Sequence, residues 1–237
     1  MLKISTKKRS RQSEIMDDFE LKGPELEQTL RDLERINSLL GGNSITRSGI
    51  RQLNLPKELP VTIVDVGCGN GAMLRELASW GSKKGYDFKL LGIDANPYAI
   101  EIARNLSSDF ANLSFLEMNI FSKEFQELEI DVLLCTLTLH HFKDEQITGL
   151  LKNFYDQAKI GVVINDLQRS KTAYVLFQAF CAVFVRNQIA VKDGLISILR
   201  GFKKEDIKKY MNSIQVPNYR INWKWAFRYL WVIQKRD

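Results

Sequence analysis

The run Asp65-Val66-Gly67-Cys68-Gly69-Asn70-Gly71 constrains this chain more than any other stretch of it. Val61 to Val66 is a short, almost uninterrupted apolar segment, the pattern of a parallel strand buried on both faces. Beyond the glycines, Met73, Leu74, Leu77 and Ala78 put an apolar stripe on a helix. A strand that ends in a tight glycine turn and enters a helix lets the backbone approach a ligand where any Cβ would clash. The junction implies a βαβ unit and, with it, an α/β sheet.

The rest of the chain repeats that rhythm on both sides. Leu26, Leu30, Leu33, Ile36, Asn37 and Leu40 recur at helical spacing, with Gly41-Gly42 as terminator. A shorter helix around Ile50 to Leu55 leads to Pro56 and Pro60, which bracket the entry to the core. Lys89 to Ile93 reads as the second strand, and Asn96 and Pro97 as the cap and first residue of the next helix. Leu113 to Met118 and Ile130 to Cys135 read as the third and fourth strands. Asp144 then caps a helix through Tyr155, and Gly161 to Ile164 is the fifth strand. Repeated units of this kind predict a parallel sheet with helices on both faces. Thereafter come an apolar, aromatic helix from Tyr174 to Val185 and an amphipathic one from Lys203 to Met211. The strand-like runs Tyr219 to Trp225 and Phe227 to Gln234 are close enough to pair as a hairpin.

With 237 residues the chain accommodates one sizeable α/β domain with additions. The expected organisation is a basic flexible tail over residues 1–13, a helical cap over 14–60, and the main domain over 61–237. A helical insert occupies about 170–212 of that domain. The net charge is +6, but Lys3, Lys7, Lys8, Arg9 and Arg11 all precede the first acid, Glu14, so the remainder is nearly neutral. The tail is read as a solvated end making at most a weak peripheral contact with anionic membranes. Cys68, Cys135 and Cys181 lie far apart without metal-ligand spacing and are read as reduced. The N-terminus lacks the apolar run of a signal peptide, and the most apolar stretch, Thr172 to Val185, has only 14 residues. A cytoplasmic location is therefore expected.

The glycine turn alone leaves its ligand open. Gly67, Gly69 and Ala72 also fit the G-x-G-x-x-G/A turn of dinucleotide enzymes, and a glycine turn without a ligand is the bland alternative. Leu90-Leu91-Gly92-Ile93-Asp94 adds a carboxylate at the end of the adjacent strand, placed to accept hydrogen bonds from ribose hydroxyls. Both ligand-binding readings imply an adenosine cofactor.

At this point the sequence resembles class I S-adenosylmethionine-dependent methyltransferases, in particular the UbiE/menaquinone-type and small-molecule O-methyltransferase branch. Val64 to Gly71 looks like their first motif and Asp94 like their ribose-binding acid. The resemblance covers about Val61 to Leu167, with a weaker echo in the terminal hairpin. It implies a Rossmann-like, seven-stranded, mostly parallel sheet whose last strand is antiparallel. It also implies S-adenosylmethionine as cofactor and S-adenosylhomocysteine as product. Asp65, Gly67, Cys68, Gly69, Gly71, Asp94, Ala95, Asn119, Ile120, Thr136 and Leu137 would hold them. One position departs from the pattern: Asn119 stands where the family carries an acid for the adenine amino group, and its side-chain oxygen can still accept that bond. Ile120 would pack on the adenine.

The chain's two histidines, His140 and His141, follow the fourth strand, at the edge where open α/β sheets bind ligands. Leu139-His140-His141-Phe142 with Asp144-Glu145 looks like a variant of the family's Leu-His-Asp-Trp run, which would make His140 a general base and put His141 at the Asp position. Support of the loop without chemistry is the competing role. Asp166, at the end of the fifth strand, would orient an imidazole, bind a substrate hydroxyl, or serve as a loop residue. No metal is required for such a transfer. Tyr174, Phe177, Phe180 and Phe184 of the insert either roof an acceptor pocket or pack against the N-terminal helix. The same stretch lacks the Asn/Asp-Pro-Pro-aromatic run and the Pro-Cys nucleophile of DNA methyltransferases, so nucleic acid is not the expected partner. Methylation of a small apolar acceptor is the leading reading. An RNA- or protein-directed methyltransferase, and a non-catalytic binder or nicotinamide enzyme, are the alternatives. The oligomeric state is not legible.

Overall fold

The computed structural model describes residues 4–235. Met1, Leu2 and Lys3 of the expected tail lie outside the described residues, as do Arg236 and Asp237.

Seven strands form one sheet: β1 (Val61–Val66), β2 (Phe88–Asp94), β3 (Leu113–Glu117), β4 (Ile130–Thr136), β5 (Ala158–Leu167), β6 (Tyr219–Lys224) and β7 (Arg228–Gln234). Their order is β3-β2-β1-β4-β5-β7-β6. The first five are mutually parallel, and β7 runs antiparallel between β5 and β6. The expected Rossmann-like architecture is thus the observed one. The strand order reverses at β1, which pairs with β2 on one side and β4 on the other. Such a switch point opens a crevice at the carboxyl ends of these strands.

Alternation along the strands divides the core. Val64, Val66, Leu133, Ile164 and Trp231 point to one face, where α5 (Lys123–Gln126), α6 (Asp144–Gln157) and α9 (Lys204–Ser213) cover them. Ile63, Leu134, Val163 and Leu230 point to the other, under α2 (Gly42–Arg51), α3 (Ala72–Lys84) and α4 (Pro97–Leu106). Asn96 caps α4 as its sequence predicts, its side chain accepting from the amides of Tyr98 and Ala99.

Helices α1 (Gly23–Leu39), α7 (Lys171–Phe184) and α8 (Gln188–Arg200) lie over the crevice end. Several boundaries differ from expectation. Helix α2 begins at Gly42, because Gly41 in the left-handed region (φ 72°) both closes α1 and opens α2. Lys143, not Asp144, occupies the N-cap of α6; Asp144 pairs instead with Arg9 and accepts from Tyr210. Helix α8 lies inside the expected helical insert but was not picked out as a helix of its own: it contains Gly194, and its buried positions include Asp193, Ser197 and Arg200. The expected flexible tail is not what residues 4–13 form. The Ser10 amide donates to the Leu199 carbonyl, and the 7%-exposed Arg9 side chain reaches the carbonyls of His140, Phe142 and Arg200. Those carbonyls are the stray acceptors of a loop and a helix end, and a guanidinium satisfies several at once.

Candidate active site

The glycine turn sits at the β1 end of the crevice. The amides of Gly67 and Cys68 both donate to the Ile93 carbonyl, which folds the turn tightly onto β2. Gly67 has φ +71° and touches Thr138 so closely that a Cβ would lie 2.3 Å from its methyl group. Gly69 has φ +52° and faces open space, with only Leu30 within contact range of a Cβ at 3.5 Å. The Asp94 carboxylate braces this turn, accepting from the Gly69 amide at 2.9 Å and the Asn96 amide at 3.0 Å. Each of its oxygens keeps a further lone pair. Burial pushes the Asp94 carboxyl up, against those backbone bonds. Asp65 beneath it is buried, and its Oδ1 meets no partner among the described residues. Burial and the charge of Asp94 push Asp65 up to about 8.

A cavity of about 1220 Å³ opens from this turn and continues to the histidines. Its size exceeds the roughly 300–1,000 Å³ of a typical single-ligand pocket, so it has room for two molecules side by side. Asp65, Gly67, Cys68, Gly69, Asp94, Ala95, Asn119, Ile120, Thr136 and Leu137 all stand on its wall. Gly71 does not: its amide closes the turn on the Cys68 carbonyl, and its α-carbon faces the Phe115 ring. Asn119 Oδ1 already accepts from the Phe121 amide. Leu137 takes a left-handed conformation, φ 54°, fixed by its amide bonding to Asn165 O. Leu176, Phe177 and Phe180 of α7 form part of the same wall, which is the roofing arrangement. Phe184 instead lies 57% exposed.

Leu139–His141 forms a single 3₁₀ turn after β4. Its Leu139 is fully buried and anchors it. His140, only 2% exposed, has Nδ1 2.7 Å from Asp166 Oδ1, and its amide donates to Asp166 Oδ2. Asp166 is itself buried behind the imidazole and does not reach the cavity. Burial raises its pKa, but the imidazole and two backbone bonds outweigh this and hold it below the usual range. The second ring nitrogen of His140, Nε2, stands 3.7 Å from Glu14 Oε1. His141 repeats the arrangement, with Nδ1 2.6 Å from Asp17 Oδ1 and Nε2 3.9 Å from Glu14 Oε2. The rings are 4.3 Å apart between centroids. The two side chains do not diverge, because the tight turn and a carboxylate behind each ring aim both Nε2 atoms at Glu14.

The residues holding Glu14 and Asp17 were not found from sequence. Asp193 on α8 accepts from the amides of Ile15 and Met16 at 2.8 and 2.9 Å. Ser197 donates to Glu14 Oε2 at 2.6 Å. Arg200 bonds Asp17 Oδ2 at 2.6 Å and the carbonyls of His140 and His141. Burial would raise Asp17, but its bonds to His141 and Arg200 hold it far below the usual range. Burial pushes Glu14 up. Polar residues inside α8 were the available signal, readable only once the helix is known to cover the crevice.

The family profile for the methyltransferase domain matches residues 59–213. A putative protein N5-glutamine methyltransferase of Methanocaldococcus jannaschii is 30% identical over 105 residues, covering 44% of this chain and 50% of its own. The ubiquinone biosynthesis O-methyltransferase of Rickettsia akari is 31% identical over 120 residues, covering 48% of this chain and 43% of its own. The chain thus spans half or less of the length of these curated relatives. Among solved structures, the plantazolicin methyltransferase BpumL with a pentazolic desmethyl-plantazolicin analogue and S-adenosylhomocysteine superposes with a TM-score of 0.69. The match has 18% identity and covers 90% of this chain and 92% of that one. Human N-acetylserotonin methyltransferase with S-adenosylmethionine gives 0.62 at 17% identity, covering 89% and 55%. The chain belongs to the methyltransferase domain family, the class I S-adenosylmethionine-dependent methyltransferases.

Proposed function

We propose that this chain O-methylates a small apolar acceptor carrying a hydroxyl group, of phenolic, quinone-like, polyketide or lipid-linked type, with His140 as the proton acceptor. The observation that carries this reading is the His140–Asp166 pair at 2.7 Å, on a histidine that lines the cavity also holding the glycine turn and whose Nε2 meets no hydrogen-bond partner among the described residues. S-adenosylmethionine, when bound, supplies an electrophilic methyl group on a sulfonium.

The described residues fit that cofactor. Gly69 offers an open backbone surface, Asp94 has lone pairs left for ribose hydroxyls, and the orphaned Asp65 Oδ1 complements a cationic amino group. In this reading His140 Nε2 takes the acceptor's hydroxyl proton as the oxygen attacks, and Asp166 holds the ring and stabilises the imidazolium that results. Asp166 is therefore a positioning residue. Leu176, Phe177 and Phe180 favour an apolar acceptor and exclude water.

The test is transfer of a radiolabelled methyl group from S-adenosylmethionine to a panel of alkylated catechols and hydroquinones, in the presence of a chelator. Once an acceptor is found, His140→Ala is expected to lower turnover by about 10²- to 10⁴-fold with S-adenosylhomocysteine affinity retained. Full turnover by a folded His140→Ala variant would exclude base catalysis from this loop.

A further inference from the structure

The geometry points to a divalent transition-metal site made by His140 Nε2, His141 Nε2 and the carboxylate of Glu14. The potential ligand atoms of these residues lie within 4.8 Å of one another, the one such triad among the described residues. His140 and Glu14 are 2% and 6% exposed. Neither His140 Nε2 nor Glu14 Oε1 meets a hydrogen-bond partner among the described residues. Leaving two such atoms buried and unpaired is costly, and an ion between them would satisfy both.

What lies behind the rings favours a metal over an ordinary polar contact. Metal-binding histidines typically donate their other ring N–H to a carboxylate, which fixes the tautomer and turns the free nitrogen toward the ion. Here both rings do so, His140 to Asp166 at 2.7 Å and His141 to Asp17 at 2.6 Å. The closest nitrogen-to-oxygen separations, 3.7 and 3.9 Å, are a few tenths of an ångström wider than a coordinated set needs. Bonds of about 2.0–2.2 Å to zinc-like ions therefore require only a small inward movement. The charge also suits a dication. Glu14, Asp17 and Asp166 surround two imidazoles, and the cation in contact, Arg200, bonds Asp17 at 2.6 Å and lies 3.5 Å from Glu14 Oε1. Two imidazoles and one carboxylate suit zinc, iron(II), cobalt(II) or nickel(II) rather than magnesium or calcium.

This inference goes beyond methyl transfer and is independent of the acceptor. An ion bound here takes up the His140 Nε2 that base catalysis uses, so the two readings are tested apart: metal binding needs no acceptor, and turnover in chelator needs no metal. The experiment is titration of the untagged, chelator-stripped chain with Co²⁺ by visible absorption and with Zn²⁺ by calorimetry. One ion per chain is expected, with ligand-field bands and no thiolate charge-transfer band. Glu14→Gln and His141→Ala are each expected to weaken binding by at least about tenfold, and Asp17→Asn, which removes no ligand but weakens the support of His141 together with the Arg200 and Glu14 amide contacts, by about tenfold. Thermal melts confirm that the variants are folded, and if Glu14→Gln is not, His141→Ala decides. Absence of saturable binding to the folded wild type, thiolate bands, or unchanged affinity in the folded variants would overturn the site.

Discussion

At the scale of single residues, the two glycines of the turn have different jobs, and that difference is measurable. Gly67 has no room for a side chain against Thr138, so its replacement strikes the fold. Gly69 faces the cavity, so Gly69→Val costs the backbone roughly 1–3 kcal/mol through its positive φ and chiefly obstructs what binds there. Calorimetry with S-adenosylhomocysteine should find binding abolished in the folded Gly69→Val variant. Asp94→Ala should weaken it by roughly 1–3 kcal/mol, since the carboxylate braces the Gly69 amide and offers its remaining lone pairs. Unchanged affinity in both would remove the cofactor assignment. The turn and Asp94 were legible in the sequence because short-range backbone geometry demands those residue types in that order. Glu14 was not, since its partners His140 and Ser197 lie 126 and 183 positions away along the chain; nothing local marks an acid that closes a site from a distance.

At the scale of elements, the central strands β1 and β4 were readable because they are buried on both faces and carry nearly continuous apolar runs. Helix α8 was hidden by the reverse condition: its inward face is polar, with Asp193, Ser197 and Arg200 turned toward the N-terminal segment. That segment, read from its charge as a solvated tail, is bound by the same logic. Arg9 bonds the carbonyls of His140, which it shares with Arg200, of Phe142 and of Arg200 at the end of α8, pairs with Asp144, and lies 4.6 Å over the Phe202 ring. Arg9→Met should therefore destabilise the protein by about 2–3 kcal/mol, the cost of stranding charge-assisted acceptors at a partly buried site. The exposed Lys8→Met should be nearly silent. Urea denaturation of both variants checks this, and equal, small effects would return the segment to the status of a loose tail.

At the scale of the whole molecule, the switch point gathers buried acids under one crevice, and this makes stability depend on pH in a direction that can be worked out. Asp65 has an ordinary pKa of 3.8 in the unfolded chain and about 8 in the folded one, raised by burial and by the neighbouring Asp94. Between those values the native state holds a proton that the unfolded state has released. The contribution is therefore complete below about pH 4 and is lost as pH rises through 8, at about 1.4 kcal/mol for each pH unit crossed. Asp17, Asp144 and Asp166 are lowered and act in the opposite sense at acid pH, so the raw profile mixes several groups. Subtracting the profile of Asp65→Asn isolates the one that matters, because the amide cannot titrate. The difference in unfolding free energy between wild type and Asp65→Asn, measured without ligand from pH 5 to 8, should move steadily against the wild type. If the cationic end of the cofactor sits against Asp65, S-adenosylhomocysteine stabilises the carboxylate and flattens that trend, and calorimetry at pH 7 in buffers of different ionisation enthalpy should register proton release on binding. A flat difference without ligand would mean that Asp65 is ionised throughout, with a partner the folded chain does supply.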